Sequence, residues 1–284
     1  MKKVRKVVIP VAGMGTRFLP ATKSVPKELF PIIDKPTIQF IVEEAAASGI
    51  EEILLITSPY KNSIIDYFDK SYELESRLEK AGKEAQLEMI RNIDTGIKIY
   101  SIRQGEPKGS GHAINLAKSF IGDEPFAVMY GDDLIYSPHD EPVLKQLIKI
   151  YEQTGGNVIG GMEVPDELLH KYGICKLEDD RIVDIVEKPS IEEAPSNFAG
   201  TGRYIVNSNI FDILDNLPVG KGGEYQFTDA MKELMKTEPF YACRYKGTYY
   251  DIGNQLGYIK ATLRYALDRE DLKDELKDYL KQLS

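Results

Sequence analysis

The residues most able to do chemistry stand near the start of the chain, in VAGMGTRFLPATKSVPKELFPIIDKP from Val11 to Pro36. Two glycines, Gly13 and Gly15, are followed by Arg17, Lys23, Lys27 and Lys35 in a chain of formal charge -9. Glycines let backbone N–H groups approach an anion, arginine offers a planar fork to phosphate and lysine a mobile point charge. The alternative is a surface loop of solvated charges, and charge alone leaves the two balanced. Two familiar cradles fail: a P-loop needs four residues between its glycines and then Lys-Ser/Thr, and the dinucleotide fingerprint needs a third glycine. Farther along, Asp132 and Asp133 follow the apolar FAVMY, and Asp251 ends GTYYD. A lone strand-end aspartate is more often a turn or cap than a ligand group; two at similar strand ends invite a shared task. Glu187-Lys188, in IVEKPS, read without context as a surface ion pair of little energetic weight.

These groups need a scaffold that delivers strand ends to one crevice. The spacing predicts strands over 7–11, 53–57, 97–102 and 126–130. Helices are expected over 37–48, 111–120 and 143–151, with a helix-prone stretch from Lys61 to about Ile90 broken near Gly82. Such alternation implies a mostly parallel sheet covered on both faces, with ligands beyond the strands' C-terminal ends. After Asn157 the texture changes. YGICKLEDDRIVDIVEKP reads as a hairpin turning at Glu178–Asp180, and NFAGTGRYIVN and FYACRYKGTYYDIG are β-prone. The tail, 268–284, carries Leu272, Leu276, Leu280 and Leu283 at the spacing of an amphipathic helix that packs on the body or on a second subunit. The expected fold is one mixed α/β domain over 1–284, with a half over 1–156, a β-rich half over 157–266 and a terminal helix over 267–284.

Composition narrows the possibilities. With 284 residues, 42% apolar and 29% charged, the chain can bury a sizeable core. Its acidic balance argues against a nucleic-acid partner. No segment has the apolar length of a membrane span, and the N-terminal MKKVRKVVIPVAG is too short and too broken for a signal peptide. Cys175 and Cys243 have no disulfide-framework or metal spacing and read as core residues of a cytoplasmic protein. His112 opens a helix in GSGHA and is open between nucleotide binding and a structural role, whereas His139 and His170 read as solvent-facing.

G-x-G-T-R-x-x-P followed by P-K-E-L-x-P-x-x-D-K-P resembles the signature of the sugar nucleotidyltransferases. The likeness continues in order through QGEPKGSGHA, FAVMYGDD, YGI, VEKP, APSNFAGTGRYI, GGEYQFTDA and YYDIG, up to about Ala266. Glu28, where thymidylyltransferases usually carry Gln, favours the uridylyl branch. The resemblance implies a Rossmann-like fold of the nucleotide-diphospho-sugar transferase type with an added sugar-binding part. It implies Mg²⁺-assisted in-line attack of α-D-glucose 1-phosphate on the α-phosphorus of UTP, giving UDP-glucose and pyrophosphate. Arg17, Lys27 and Lys188 become the catalytic cations, and Ala12, Gly13, Gly15, Glu28, Gln104 and Gly109 the nucleotide-binding positions. Asp133, Gly173, Glu187, Lys188 and Gly202 line the sugar site, and Asp132 and Asp251 share the Mg²⁺. A homodimer or larger homo-oligomer is also implied. Val11, Ser110 and Tyr130 depart from the family pattern and touch base or sugar preference. The alternatives are the same chemistry on dTTP or another hexose 1-phosphate, and a UDP-sugar sensor without turnover.

Overall fold

The computed structural model describes residues 2–138 and 140–283, so His139 lies outside the described residues. In chain order the strands are β1 (Lys6–Pro10), β2 (Pro31–Ile32), β3 (Lys35–Pro36), β4 (Glu52–Thr57), β5 (Lys98–Arg103), β6 (Phe126–Met129) and β7 (Asp133–Tyr136). Then come β8 (Asn157–Glu163), β9 (Gly173–Glu178), β10 (Arg181–Glu187), β11 (Phe198–Val206), β12 (Phe240–Arg244) and β13 (Thr248–Asp251). Nine of them form one sheet in the order β5-β4-β1-β6-β11-β8-β12-β10-β9. β5, β4, β1 and β6 pair in parallel, as expected for the first half, while β11 runs antiparallel to both β6 and β8. Parallel pairing returns only at β8–β12, and β10 and β9 close the sheet antiparallel.

Of the parallel strands, β1, β4 and β6 carry continuous apolar runs because both faces are covered, whereas the edge strand β5, KIYSIR, is largely exposed. Val7 and Ile9 of β1 enter the same core as Ile53 and Leu55 of β4, whereas Val8 points to the opposite core with Leu54 and Ile56. The first core is closed by the helix Thr37–Ala47, whose Ile38, Ile41, Val42 and Ala45 recur at helical spacing and are fully buried. Each of the larger three contributes about 2 kcal/mol by leaving water. Pro36 precedes that helix and cannot extend it backwards, and Gly49, at φ 85, follows its end.

Several expectations need correction. The stretch from Lys61 breaks near Gly82 as expected, between Tyr72–Lys80 and Glu84–Arg91, but it also breaks at Asp69, which leaves the helical region at ψ 147 and sets Asn62–Phe68 apart as a third helix. The helix over 111–120 is two short ones, Ser110–Asn115 and Lys118–Ile121. FYACRYKGTYYDIG divides between the main sheet and a separate two-stranded pair, β7–β13. β8 forms where no strand was expected: both its faces are buried, with Val158 in the first core and Ile159 in the second, and Gly161 must stay bare because a Cβ there would lie 2.4 Å from the Ala199 carbonyl oxygen and 2.6 Å from the Phe198 ring. The tail forms the helix Lys273–Leu283, and none of its residues is buried. Lys35, grouped with the loop cations, pairs with Glu43 at 2.8 Å and lies over the Phe40 ring. Among the described residues no helix is long and apolar enough to cross a membrane.

One irregularity shapes the functional region. β11 is buried along its whole length, yet its register on β8 slips between Gly200 and Arg203. Before the slip it pairs with β9 and after it with β6, so the bulge opens the sheet between them. Gly202 sits there at φ 72, a conformation that favours glycine.

Candidate active site

The loop after β1 begins as an extension of the sheet, with the Val11 N–H donating to the Ile56 carbonyl at 2.8 Å. Three short 3₁₀ turns, Thr16–Phe18, Ala21–Lys23 and Lys27–Leu29, then fold it onto itself. Gly15 takes φ 64 and its carbonyl accepts from the Thr22 hydroxyl at 2.8 Å. A Cβ added at Gly13 would meet nothing within 4 Å beyond its chain neighbours, so this glycine borders open space. Ala12 is buried, Lys23 is exposed, and Arg17 reaches within 4.0 Å of Asp251.

Lys27 and its neighbour Glu28 point in different directions. The Lys27 ammonium donates to Asp132 Oδ2 at 2.5 Å. Burial works against its charge, but Asp132, Glu28 and Asp133 outweigh that and hold it above the ordinary lysine range. Glu28, expected on the nucleotide, is instead 2% exposed and gripped by Lys61, whose Nζ donates to its two oxygens at 2.9 and 2.8 Å and to the Val11 carbonyl at 2.8 Å. All three ammonium protons are used, and the clamp ties the glycine loop to the segment carrying Lys27. Burial lifts the Glu28 carboxyl and lowers the Lys61 ammonium, each only partly resisted by the other's charge. Nothing in the polar segment around Lys61 signals this role in sequence.

The three aspartates meet where the two-stranded pair crosses the sheet's end. Asp133 opens β7 directly opposite Asp251, the last residue of β13, and the Ile252 N–H donates to the Asp132 carbonyl at 3.0 Å. The carboxylates of Asp132 and Asp251 converge on Gly253: a Cβ there would lie 2.7 Å from Asp132 Oδ2 and 3.0 Å from Asp251 Oδ1. Asp133 turns the other way, accepting from the Tyr249 hydroxyl at 2.5 Å and occupying the space above Gly202, where a Cβ would come within 2.0 Å of its Oδ2. Burial, and then the adjacent Asp132 charge, push the Asp133 carboxyl well above the usual carboxylate range. Behind it lies the fully buried Arg203, held by Glu44 at 2.8 Å.

Across the bulge, Glu187 ends β10 and accepts from the Thr228 hydroxyl at 2.9 Å, with the Lys188 ammonium 3.2 Å from its other oxygen. Lys188 has φ 46, unusual for a residue with a side chain, and its N–H donates to the Tyr172 carbonyl. Gly173 faces Thr228 and Glu187 and leaves them room. A cleft of about 780 Å³ joins these parts: Arg17, Asp132, Asp133, Gly173, Glu187, Lys188, Gly202 and Asp251 all border it. Tyr172, Thr228 and Tyr249 also border it; all three stand in blocks that carry the resemblance, YGI, GGEYQFTDA and YYDIG, and none was assigned a catalytic or ligand-binding role. His170 is exposed, as expected, at the rim.

Ala12, Gly13, Gly15, Lys27, Glu28, Gln104 and Gly109 do not border that cleft. Gln104 and Gly109 lie together beyond the end of β5. The Gln104 N–H extends the sheet by donating to Thr57, and its side-chain nitrogen lies 2.8 Å from His112 Nδ1 and 3.4 Å from the Gly109 carbonyl. Gly109, at φ 101, is pressed against Tyr225, whose carbonyl oxygen would be 2.6 Å from any Cβ. Ser110 has a local explanation: its hydroxyl accepts from the Phe227 N–H at 3.1 Å, at the start of the helix Phe227–Leu234. Cys175 and Cys243 are free and buried, which pushes both thiols up to about 12. No group of three or more His, Cys, Asp and Glu able to hold a metal is found among the described residues.

The glycine loop, the aspartates beyond the parallel strands and the bulge-lined cleft define a class: the chain belongs to the nucleotidyl transferase family, whose model matches residues 6–267. Full-length relatives refine the class. The UTP–glucose-1-phosphate uridylyltransferase of Staphylococcus haemolyticus is 48% identical over 288 residues, covering 100% of this chain and 99% of the relative. A UTP-bound UGPase from Acinetobacter baumannii superimposes with a TM-score of 0.92 at 39% identity, over 99% of this chain and 100% of that one. A UDP-glucose pyrophosphorylase complexed with UDP-glucose gives 0.86 at 43% identity, over 94% and 100%.

Proposed function

We infer that the protein transfers the uridylyl group of UTP to α-D-glucose 1-phosphate and releases pyrophosphate. One observation carries the reading: Arg17 on the glycine-loop side and Glu187 and Lys188 on the β-rich side border one cleft, with Asp132 and Asp251 between them. In the reaction a phosphate oxygen of glucose 1-phosphate forms a bond to the α-phosphorus of UTP. The bond from that phosphorus to the oxygen bridging to the β-phosphate breaks, and pyrophosphate leaves with its electron pair. Such displacement asks for alignment and charge neutralisation rather than a covalent protein intermediate.

The loop side serves the nucleotide. Gly13 and Gly15 admit it to the backbone, and Arg17 and Lys27 offset the charge gathering on the leaving group. On the other side Lys188 holds the sugar phosphate, and Glu187 accepts from sugar hydroxyls while Thr228 pins its second oxygen. Asp133, tied by Tyr249 and seated on Gly202, forms the wall between them. Asp132 and Asp251 fit a Mg²⁺ ion, because two hard oxygen donors converge on the space that Gly253 leaves open. When bound, the ion supplies further neutralisation of phosphate charge. Pyrophosphate release from UTP tests the proposal: it is expected to require both glucose 1-phosphate and Mg²⁺. No release at saturating concentrations of all three would overturn it.

A further inference from the structure

Gln104 is only 6% exposed, and its amide nitrogen faces two protein groups, His112 Nδ1 at 2.8 Å and the Gly109 carbonyl at 3.4 Å. A glutamine amide can be turned either way, with oxygen and nitrogen exchanged, so the surroundings must choose. The Gly109 carbonyl makes the choice. It can only accept, and turning Gln104 would set oxygen against oxygen. With the NH₂ group held inward, His112 Nδ1 must carry a lone pair, and the ring proton resides on Nε2. Among the described residues Gln104 Oε1 accepts no hydrogen bond, so an acceptor is what this side chain has left for a ligand.

We propose that His112 is a positioning residue that locks the Gln104 amide with its oxygen outward, so that the site selects bases with an imide N–H over cytosine. An outward acceptor matches the N3–H of uracil. Cytosine places a lone pair at N3, and the two acceptors repel. The selection is between uracil or thymine and cytosine; it does not separate uracil from thymine. The proposal rests on the uridylyl reading with Gln104 at the base, and it assigns to a second residue the choice of edge that Gln104 offers. Burial, then the Lys108 charge, lower the His112 imidazole, with Glu106 opposing, which accords with an unprotonated Nδ1.

Dissociation constants for UTP and CTP, measured by calorimetry on the full chain, test the idea. His112→Phe keeps a ring without the acceptor, and His112→Asn restores an acceptor at the position of Nδ1. The UTP preference over CTP is expected to fall about tenfold in the Phe variant and to return in the Asn variant. An unchanged ratio in His112→Phe, or an Asn variant no better than Phe, would overturn the proposal. The wild-type protein gives a check that needs no folded variant: its ¹⁵N spectrum should show His112 Nδ1 as an unprotonated, pyridine-like nitrogen, and a protonated Nδ1 refutes the lock. Failure of the uridylyl reading is distinguishable, because wild-type protein would then release no pyrophosphate from UTP and glucose 1-phosphate.

Discussion

Replacing Lys61 by Met removes the cation from a carboxylate that has no other route to water. Glu28 is 2% exposed and its oxygens lie 2.8 and 2.9 Å from the ammonium. Breaking a buried pair by deleting one partner costs about 3–5 kcal/mol when the survivor stays charged. Glu28 has a cheaper escape. Holding a carboxyl protonated at pH 7, against an unfolded value of 4.5, costs about 3 kcal/mol. That sets the ceiling, and the orphaned Val11 carbonyl adds about 1 kcal/mol. In the variant the folded state keeps a proton that the unfolded chain sheds above pH 4.5. Glu28's share of stability is therefore intact below that pH and is lost as the pH rises, by about 1.4 kcal/mol per unit. Denaturant unfolding of wild type and Lys61→Met from pH 4.5 to pH 7.5 measures this. The expected deficit is about 1 kcal/mol at the acid end and about 4 near pH 7. Adding Glu28→Gln should flatten the pH dependence, since an amide has no proton to shed. A deficit under about 1 kcal/mol at pH 7, one equal at both ends, or a double variant as pH-sensitive as the single would refute the reasoning.

Asp132→Ala and Asp251→Ala should each lower the pyrophosphate-release rate by about 100-fold or more, because they remove phosphate-side charge organisation; Asp251→Ala should melt near wild type, whereas Asp132→Ala also strips the largely buried Lys27 of its partner and should melt lower. Gly202→Ala should destabilise the fold by about 2 kcal/mol or more, since φ 72 is strained for alanine and the new methyl meets the Asp133 carboxylate at 2.0 Å. A melting temperature within a degree or so of wild type would show that the bulge relaxes more easily than its packing suggests.

Much of the site was legible because its chemistry sits at strand ends that the local pattern already fixes. The apolar runs at β1, β4 and β6 read as strands buried on both faces, so the glycine loop after β1 and Asp132 after β6 emerge at the same end of the sheet, and Gln104 joins them by following the parallel edge strand β5. Residue type and order then pointed to phosphate and sugar chemistry. Sequence could not give the contacts made by residues far apart in the chain. Glu28 reads in sequence as a nucleotide-binding position until Lys61, 33 residues on, closes over it. Asp133 and Gly202 are separate motif residues until a register slip in β11 sets one upon the other. His112 looks like a helix start with no assigned task until the chain brings its ring against Gln104. Local pattern determined which elements form and which end of the sheet carries the chemistry, because propensity and periodicity act over a few residues. Which buried charges are paired, and which way an amide faces, was decided only by the tertiary structure, because burial makes unpaired polar groups costly and folding supplies their partners from distant segments.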